Sequence, residues 1–193
     1  MQLPEGEFQL SGEQTVGHFA LVAYLPNPLA RFLDDLRLEL TPNSKPRAHV
    51  TILPPRPLHR EVNDTIREIE RVIHGAPPFR VELGDINTFR ESRVVYLGLK
   101  TGTRELFDLY GALNRGCLAY TELFAYHPHI TIAQNVPAEE LDGAASMASE
   151  RWAAYRGPRS FVVSMLSFVQ HVAPSIWTDV AALPLGVEVA VAR

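Results

Sequence analysis

The apolar positions of this chain fall into blocks of two periods, one of about two residues and one of about 3.6. His18 to Leu25 is nearly continuous in apolar residues and reads as a strand. Asn27-Pro28 then supplies a helix N-cap and a first-turn proline, and Leu29, Phe32, Leu33, Leu36 and Leu40 follow at helical spacing. Thr41 to Pro46 is rich in turn formers. His49 to Leu53 is the next strand, and a loop with Pro54, Pro55 and Pro57 separates it from a second helix. Val62, Ile66, Ile69 and Ile73 mark that helix, with Gly75 as its C-terminal cap. Phe79, Val81 and Leu83 alternate with Arg80 and Glu82, the pattern of a half-exposed strand.

The same order then recurs. Arg93 to Lys100 reads as a strand, and Thr103 caps a helix carrying Leu106, Tyr110, Leu113 and Cys117 on one face. A loop leads to a strand at His129. Pro137 opens a helix to about Trp152, Ser160 to Val169 is another strand, and Ser175 to Leu183 is the last. Strand, helix, strand, helix, strand is thus used twice, which divides the chain into approximate pseudo-repeats 15–87 and 93–183 within a single bilobal domain spanning 1–193. Two such halves, packed about a pseudo-twofold axis, bring their corresponding strands to opposite sides of one cleft. Residues 1–14 are polar and are expected to be loosely held.

The corresponding strands carry the chemistry. His49-Val50-Thr51-Ile52 and His129-Ile130-Thr131-Ile132 share one grammar, 80 positions apart. In a strand, His and Thr two residues apart lie on one face, and the β-branched residues lie on the other. With seven His and ten Thr in 193 residues, fewer than one His-x-Thr triplet is expected by chance. Two buried strands with matched polar residues would gain nothing from them, since a buried imidazole needs partners. One cleft built from both copies holds two imidazoles and two hydroxyls, a set suited to acid–base work on a phosphate.

Charge and composition narrow the picture. A net charge of −4 argues against a wide basic surface for long duplex nucleic acid. Between Glu39 and Glu61 lie four basic residues, Lys45, Arg47, Arg56 and Arg60, and no acid; between Glu122 and Glu139 lies no charged residue apart from histidine. Both motifs therefore sit in stretches without carboxylates, a setting that favours anions. The longest apolar run, Phe19 to Leu25, is too short to span a membrane. The first residues have neither a basic start nor an apolar stretch, so no signal peptide is expected. Cys117 is the single cysteine, which predicts no internal disulfide and fits a reducing cytoplasm; its place at the end of an apolar stripe points to packing.

Five further histidines lie outside the paired motifs. His127, two before His129, either extends the site or joins His129 on a metal; no Asp, Glu or Cys lies close in sequence to complete a shell, so no metal is expected. His171, Phe168 and Trp177 near the last strands offer base stacking or, more simply, core packing. His18, His59 and His74 have no motif context. A Gly-rich phosphate loop is absent from the sequence, so an ATP-dependent kinase is not indicated.

Ala48-His49-Val50-Thr51-Ile52-Leu53 and Tyr126-His127-Pro128-His129-Ile130-Thr131-Ile132 resemble the paired motifs of the 2H phosphoesterase superfamily, in particular its bacterial 2′-5′ RNA ligase and cyclic phosphodiesterase branch. The resemblance implies an α+β, duplicated bilobal fold, with two antiparallel sheets forming a central groove and helices outside. It implies that His49 and His129 act as acid and base, that Thr51 and Thr131 bind phosphate oxygens, and that no cofactor is needed. The expected substrate is a 2′,3′-cyclic phosphate or a 2′-5′ phosphodiester of a nucleotide or short RNA end, with ligation as the reverse reaction. The pseudo-symmetry leaves either histidine free to be the base. The competing readings are a non-catalytic RNA- or nucleotide-binding protein of the same fold, and an α/β domain of other function with coincidental motifs.

Overall fold

The computed structural model describes residues 17–44, 47–173 and 176–186. The expectations for residues 1–14, Lys45, Pro46 and Ser175 fall outside these. The elements, in chain order, are β1 (His18–Tyr24), α1 (Leu29–Leu40), β2 (His49–Pro57), α2 (Val62–Ile73), β3 (Phe79–Phe89), β4 (Val94–Thr101), α3 (Thr103–Leu113), β5 (Ile130–Ala133), α4 (Leu141–Ala154), β6 (Ser160–Val163), β7 (Met165–Ala173) and β8 (Ile176–Pro184). They form two antiparallel four-stranded sheets, β2-β1-β7-β8 and β5-β4-β3-β6.

The two sheets share one plan. A strand pairs with the histidine-bearing strand after it, β1 with β2 and β4 with β5. The later strand of each half then crosses to the other sheet: β3 lies beside β4, and β7 beside β1. The helices cross over too, with α1 packing on β5 and α3 on β2. Neither half therefore closes its own core. A single buried cluster unites Leu21, Val50 and Ile52 of the first sheet with Val95, Ile130 and Ile132 of the second, and the helices add Leu33, Ile69, Leu106 and Trp152. Among the described residues no helix is long and apolar enough to cross a membrane.

Several boundaries differ from the sequence expectations for definite reasons. The prolines after His49 do not end the strand, because β2 runs through Pro54, Pro55 and Pro57 to its end. It is an edge strand, where a missing N–H is tolerated, and a register shift against β1 between Phe19 and Leu21 absorbs the irregularity. The segment from Ser160 to Val169 is not one strand. It changes sheets at Ser164, and its buried positions change phase there, from Phe161 and Val163 to Leu166 and Phe168. Strand β3 extends past Leu83 to Phe89 with a bulge between Leu83 and Ile86.

Helix ends also shift. Pro28 takes the cap position of α1, while the Asn27 Oδ1 still accepts the Arg31 N–H at 3.3 Å. Gly102, not Thr103, caps α3; its φ is +85°, and a Cβ there would lie 2.7 Å from Val81 Cγ2. Pro137 precedes a 3₁₀ turn, Ala138–Glu140, and α4 begins only at Leu141. Gly75 follows the end of α2 with φ +74°, as a C-terminal glycine should. Cys117 lies beyond α3 on a 3₁₀ turn, Gly116–Leu118, half-buried against the core.

One buried charge ties the halves together. Arg56 on β2 is 1% exposed, and its guanidinium donates to Asn114 Oδ1 at 2.9 Å, to the Leu118 carbonyl at 2.8 Å and to Glu122 Oε1 at 2.5 Å. It is therefore not one of the free cations that its sequence neighbourhood suggests. It anchors the segment that leads from α3 to the second histidine motif. Removing one partner of a buried pair leaves the other charge and its carbonyls uncompensated. Arg56→Met should lower stability by about 3–5 kcal/mol in urea unfolding, and Arg56→Met with Glu122→Gln should recover part of the loss; a change within 0.5 kcal/mol for the single variant, the range of an ordinary surface substitution, would contradict this role.

Candidate active site

The alternation expected of the two motifs is realised. Val50 and Ile52 are fully buried, as are Ile130 and Ile132, while His49, Thr51, His129 and Thr131 are half-buried on the opposite faces. His49 begins β2 and pairs with Tyr24 of β1, and Thr51 pairs with Val22. Thr131 pairs with Tyr96 of β4. His129 is the residue just before β5 rather than a strand residue. Strands β2 and β5 lie in contact across the two sheets, and the Tyr126 hydroxyl, from the second motif's approach, donates to the Thr51 carbonyl at 2.8 Å. The structure thus brings all four motif residues to one region.

Each imidazole is held in the same way. His49 Nδ1 lies 2.6 Å from the Arg47 carbonyl, and His129 Nδ1 lies 2.6 Å from the His127 carbonyl. A carbonyl only accepts, so Nδ1 carries the proton in both rings and Nε2 is the unprotonated nitrogen. Both histidines are pushed below the usual imidazole range, first of all by burial. The neighbouring cations Arg37 and Arg47, and His129 itself, add to the effect at His49; His127 adds to it at His129.

The two surroundings are not alike. Beside His49 the Tyr24 ring stands edge-on at 6.2 Å, and the Arg47 guanidinium lies 3.4 Å above that ring. Arg47 pairs with Asp179 of β8, whose carboxylate also accepts from the Tyr24 hydroxyl at 2.7 Å. Those two hydrogen bonds hold the Asp179 carboxyl low against the opposing effect of burial. Beside His129 the setting is aromatic: Phe89 and Tyr96 stack at 4.0 Å, and each meets both His127 and His129 edge-on.

His127 is exposed, its ring centroid 6.1 Å from that of His129, and its carbonyl contributes the hold on His129. Among the described residues no three His, Cys, Asp or Glu side chains cluster as a metal shell requires. Phe168 is core, stacked on Phe19 at 4.9 Å. His171 is buried, with Trp177 against it at 5.2 Å. The first motif is not free of carboxylates in space. Asp179 arrives from β8, and Asp34 of α1 accepts the Ala48 N–H at 2.7 Å. Sequence reasoning missed Tyr24, Phe89, Tyr96 and Asp179; the one available signal was that Tyr24 and Tyr96 put a phenol into strands that are mostly apolar.

With fold and geometry in hand, comparison with known proteins is direct. Residues 25–174 match the model of the 2′-5′ RNA ligase superfamily, and the chain belongs to that family. It is 27% identical over 124 residues to a protein of Halalkalibacterium halodurans named a putative phosphoesterase, covering 62% of this chain and 72% of the relative. A putative phosphoesterase of Bacillus cytotoxicus is 30% identical over 97 residues, 49% of this chain; the match spans just over half of that relative, 56%. Among solved structures, a crystal structure of a phosphoesterase aligns with TM-score 0.61, 19% identity and 89% of this chain against 99% of that one. Escherichia coli LigT complexed with 3′-AMP aligns with TM-score 0.60, 19% identity and the same coverage. These likenesses establish the fold: two antiparallel sheets with helices outside, shared with 2H phosphoesterases.

The depressed imidazoles make a thermodynamic prediction. A histidine that binds its proton less readily when folded costs stability wherever the unfolded chain is protonated and the native one is not. That cost is absent well above pH 6.5, the unfolded value, and grows as pH falls through it. Between pH 7.5 and 5, His49→Asn and His129→Asn should each lose less stability in urea unfolding than the unsubstituted protein. Parallel losses in all three would show that neither ring is depressed.

Proposed function

We propose that the protein is a metal-independent phosphoesterase acting on 2′,3′-cyclic phosphates or 2′-5′ phosphodiesters of nucleotides or short RNA ends, with His49 and His129 as acid and base and Thr51 and Thr131 as phosphate ligands. The observation that carries the reading is the matched hold on the two imidazoles, each Nδ1 on the carbonyl two residues back. It leaves Nε2 as the unprotonated nitrogen of each ring, the atom that exchanges a proton in this reading. Membership of the 2′-5′ RNA ligase superfamily and a fold shared with LigT, which has been crystallised with 3′-AMP, NADP+ and ATP, support a nucleotide substrate.

The chemistry follows from the protonation states. In hydrolysis one neutral imidazole takes a proton from water as its oxygen bonds to phosphorus. The bond from phosphorus to one ribose oxygen breaks on the opposite side, and the other imidazole, protonated at Nε2, gives its proton to that oxygen. Burial disfavours the protonated form of both rings, so the acid needs help to hold its proton. An anionic phosphate between the rings supplies it, since an opposite charge favours the imidazolium. Thr51 and Thr131, two residues on along each motif, donate to the non-bridging oxygens as charge develops there. With a nucleoside hydroxyl in place of water, the same steps on a cyclic phosphate form the phosphodiester, which is ligation, and their reversal cleaves that bond back to the cyclic phosphate.

His49→Ala and His129→Ala should each reduce turnover of a 2′,3′-cyclic nucleotide by roughly 10²–10⁴-fold, the usual worth of a positioned acid or base. The native rate should persist in EDTA and follow a bell-shaped pH profile. Near-native rates in both variants would refute the assignment. Binding of 3′-AMP with no turnover of any cyclic or 2′-5′ substrate would favour a non-catalytic nucleotide binder.

Thr51→Val and Thr131→Val keep shape and strand propensity while removing the donor. Each should cost about 1–3 kcal/mol in kcat/KM, more in kcat than in KM. Unchanged kinetics in both variants would remove the hydroxyls from the site.

A further inference from the structure

We infer that Asp179, Arg47 and Tyr24 form a positioning cluster for His49, and that Asp179, remote in sequence from both motifs, is the residue that closes it. The inference rests on the assignment of His49 to the reaction. The geometry is a closed loop of four residues. The Arg47 carbonyl accepts the His49 Nδ1–H at 2.6 Å. The Arg47 guanidinium lies 3.4 Å over the Tyr24 ring and pairs with the Asp179 carboxylate. Tyr24 donates its hydroxyl to the other oxygen of Asp179 at 2.7 Å. Its ring returns to His49 edge-on at 6.2 Å, and its backbone is the register partner of His49.

The loop explains how a residue outside any strand can hold a ring accurately. Arg47 precedes β2, and the peptide that carries its carbonyl is held at the Ala48 N–H by Asp34 of α1 at 2.7 Å. The Arg47 side chain adds a second hold, at one end by a carboxylate from β8 and along its length by an aromatic face. Asp179 thereby fastens the free end of β2 to the far strand of the same sheet, across β1 and β7. The other motif needs no such device. The ring of His127, whose carbonyl holds His129, meets the Phe89–Tyr96 stack, which immobilises both histidines by packing.

Exposure makes the inference testable. The Arg47 and Asp179 side chains are 58% and 41% exposed, and an ion pair in that setting contributes little to folding. Its loss should therefore leave thermal unfolding nearly unchanged while altering the ring it positions. The direct readout is the imidazole nitrogen spectrum of the full chain, which distinguishes the Nδ1–H from the Nε2–H form. In the native protein His49 should be Nδ1–H. In Asp179→Ala it should become a mixture of the two tautomers while His129 stays Nδ1–H, and kcat on a cyclic nucleotide should fall about 3–30-fold with KM nearly constant.

Tyr24→Phe, which keeps the ring and its stack on Arg47, should give a smaller effect of the same kind. Combined with Asp179→Ala it should add little, as expected for residues acting as one unit. An unchanged His49 tautomer in Asp179→Ala would overturn the inference. So would a raised KM with unchanged kcat, which would make Asp179 a substrate contact. The spectrum reports on the ring without any turnover. Failure of the positioning cluster is thus distinguishable from failure of the phosphoesterase assignment, which would appear as activity that survives His49→Ala.

Discussion

The structure depends on the burial of four aliphatic side chains. Val50, Ile52, Ile130 and Ile132 are 0–1% exposed in one continuous core, and each contributes about 1.5–3 kcal/mol by leaving water. Because a strand alternates faces, that burial is what turns His49 and Thr51, and Thr131 with His129 beside it, away from the core. A slip of one residue in either strand would exchange the faces, exposing the aliphatic pair and burying an imidazole and a hydroxyl. The site is therefore specified by hydrophobic packing before any polar interaction is made.

The crossing of strands and helices between the halves makes that packing a joint property. Val50 and Ile52 are covered with the help of elements from the other half, and the same is true of Ile130 and Ile132. Neither histidine strand can be set without the opposite one. Arg56 reinforces the coupling, because a side chain of β2 fixes the segment on which the second motif is carried. Tyr126 does so again, from that segment back to the Thr51 carbonyl.

Much of this was legible in the sequence, and what was not has identifiable physical causes. The helices and most strands followed from periodicity, and the motif faces from alternation alone. The extent of β2 was hidden because prolines usually end a strand, and only its edge position, a tertiary property, lifts that rule. The sheet switch at Ser164 was hidden because alternation runs up to it from both sides, and only a phase change marks it. Arg56 and Asp179 were misjudged for one reason. Local charge counts set Arg56 among free cations and left the first motif without an acid, whereas folding buries Arg56 on Glu122 and brings Asp179 from 130 positions away. The carbonyl hold on each Nδ1 has no signature at all, because it uses backbone atoms.

The central claim is that both imidazoles address one phosphate. It is tested most directly by titrating the full chain with a 3′-nucleotide while following the ring nitrogens of all seven histidines. The account predicts that the Nε2 signals of His49 and His129 move together with a single dissociation constant, one of them toward the imidazolium form, while both Nδ1 protons remain in place. Movement of only one of the two, or separate dissociation constants for them, would contradict it.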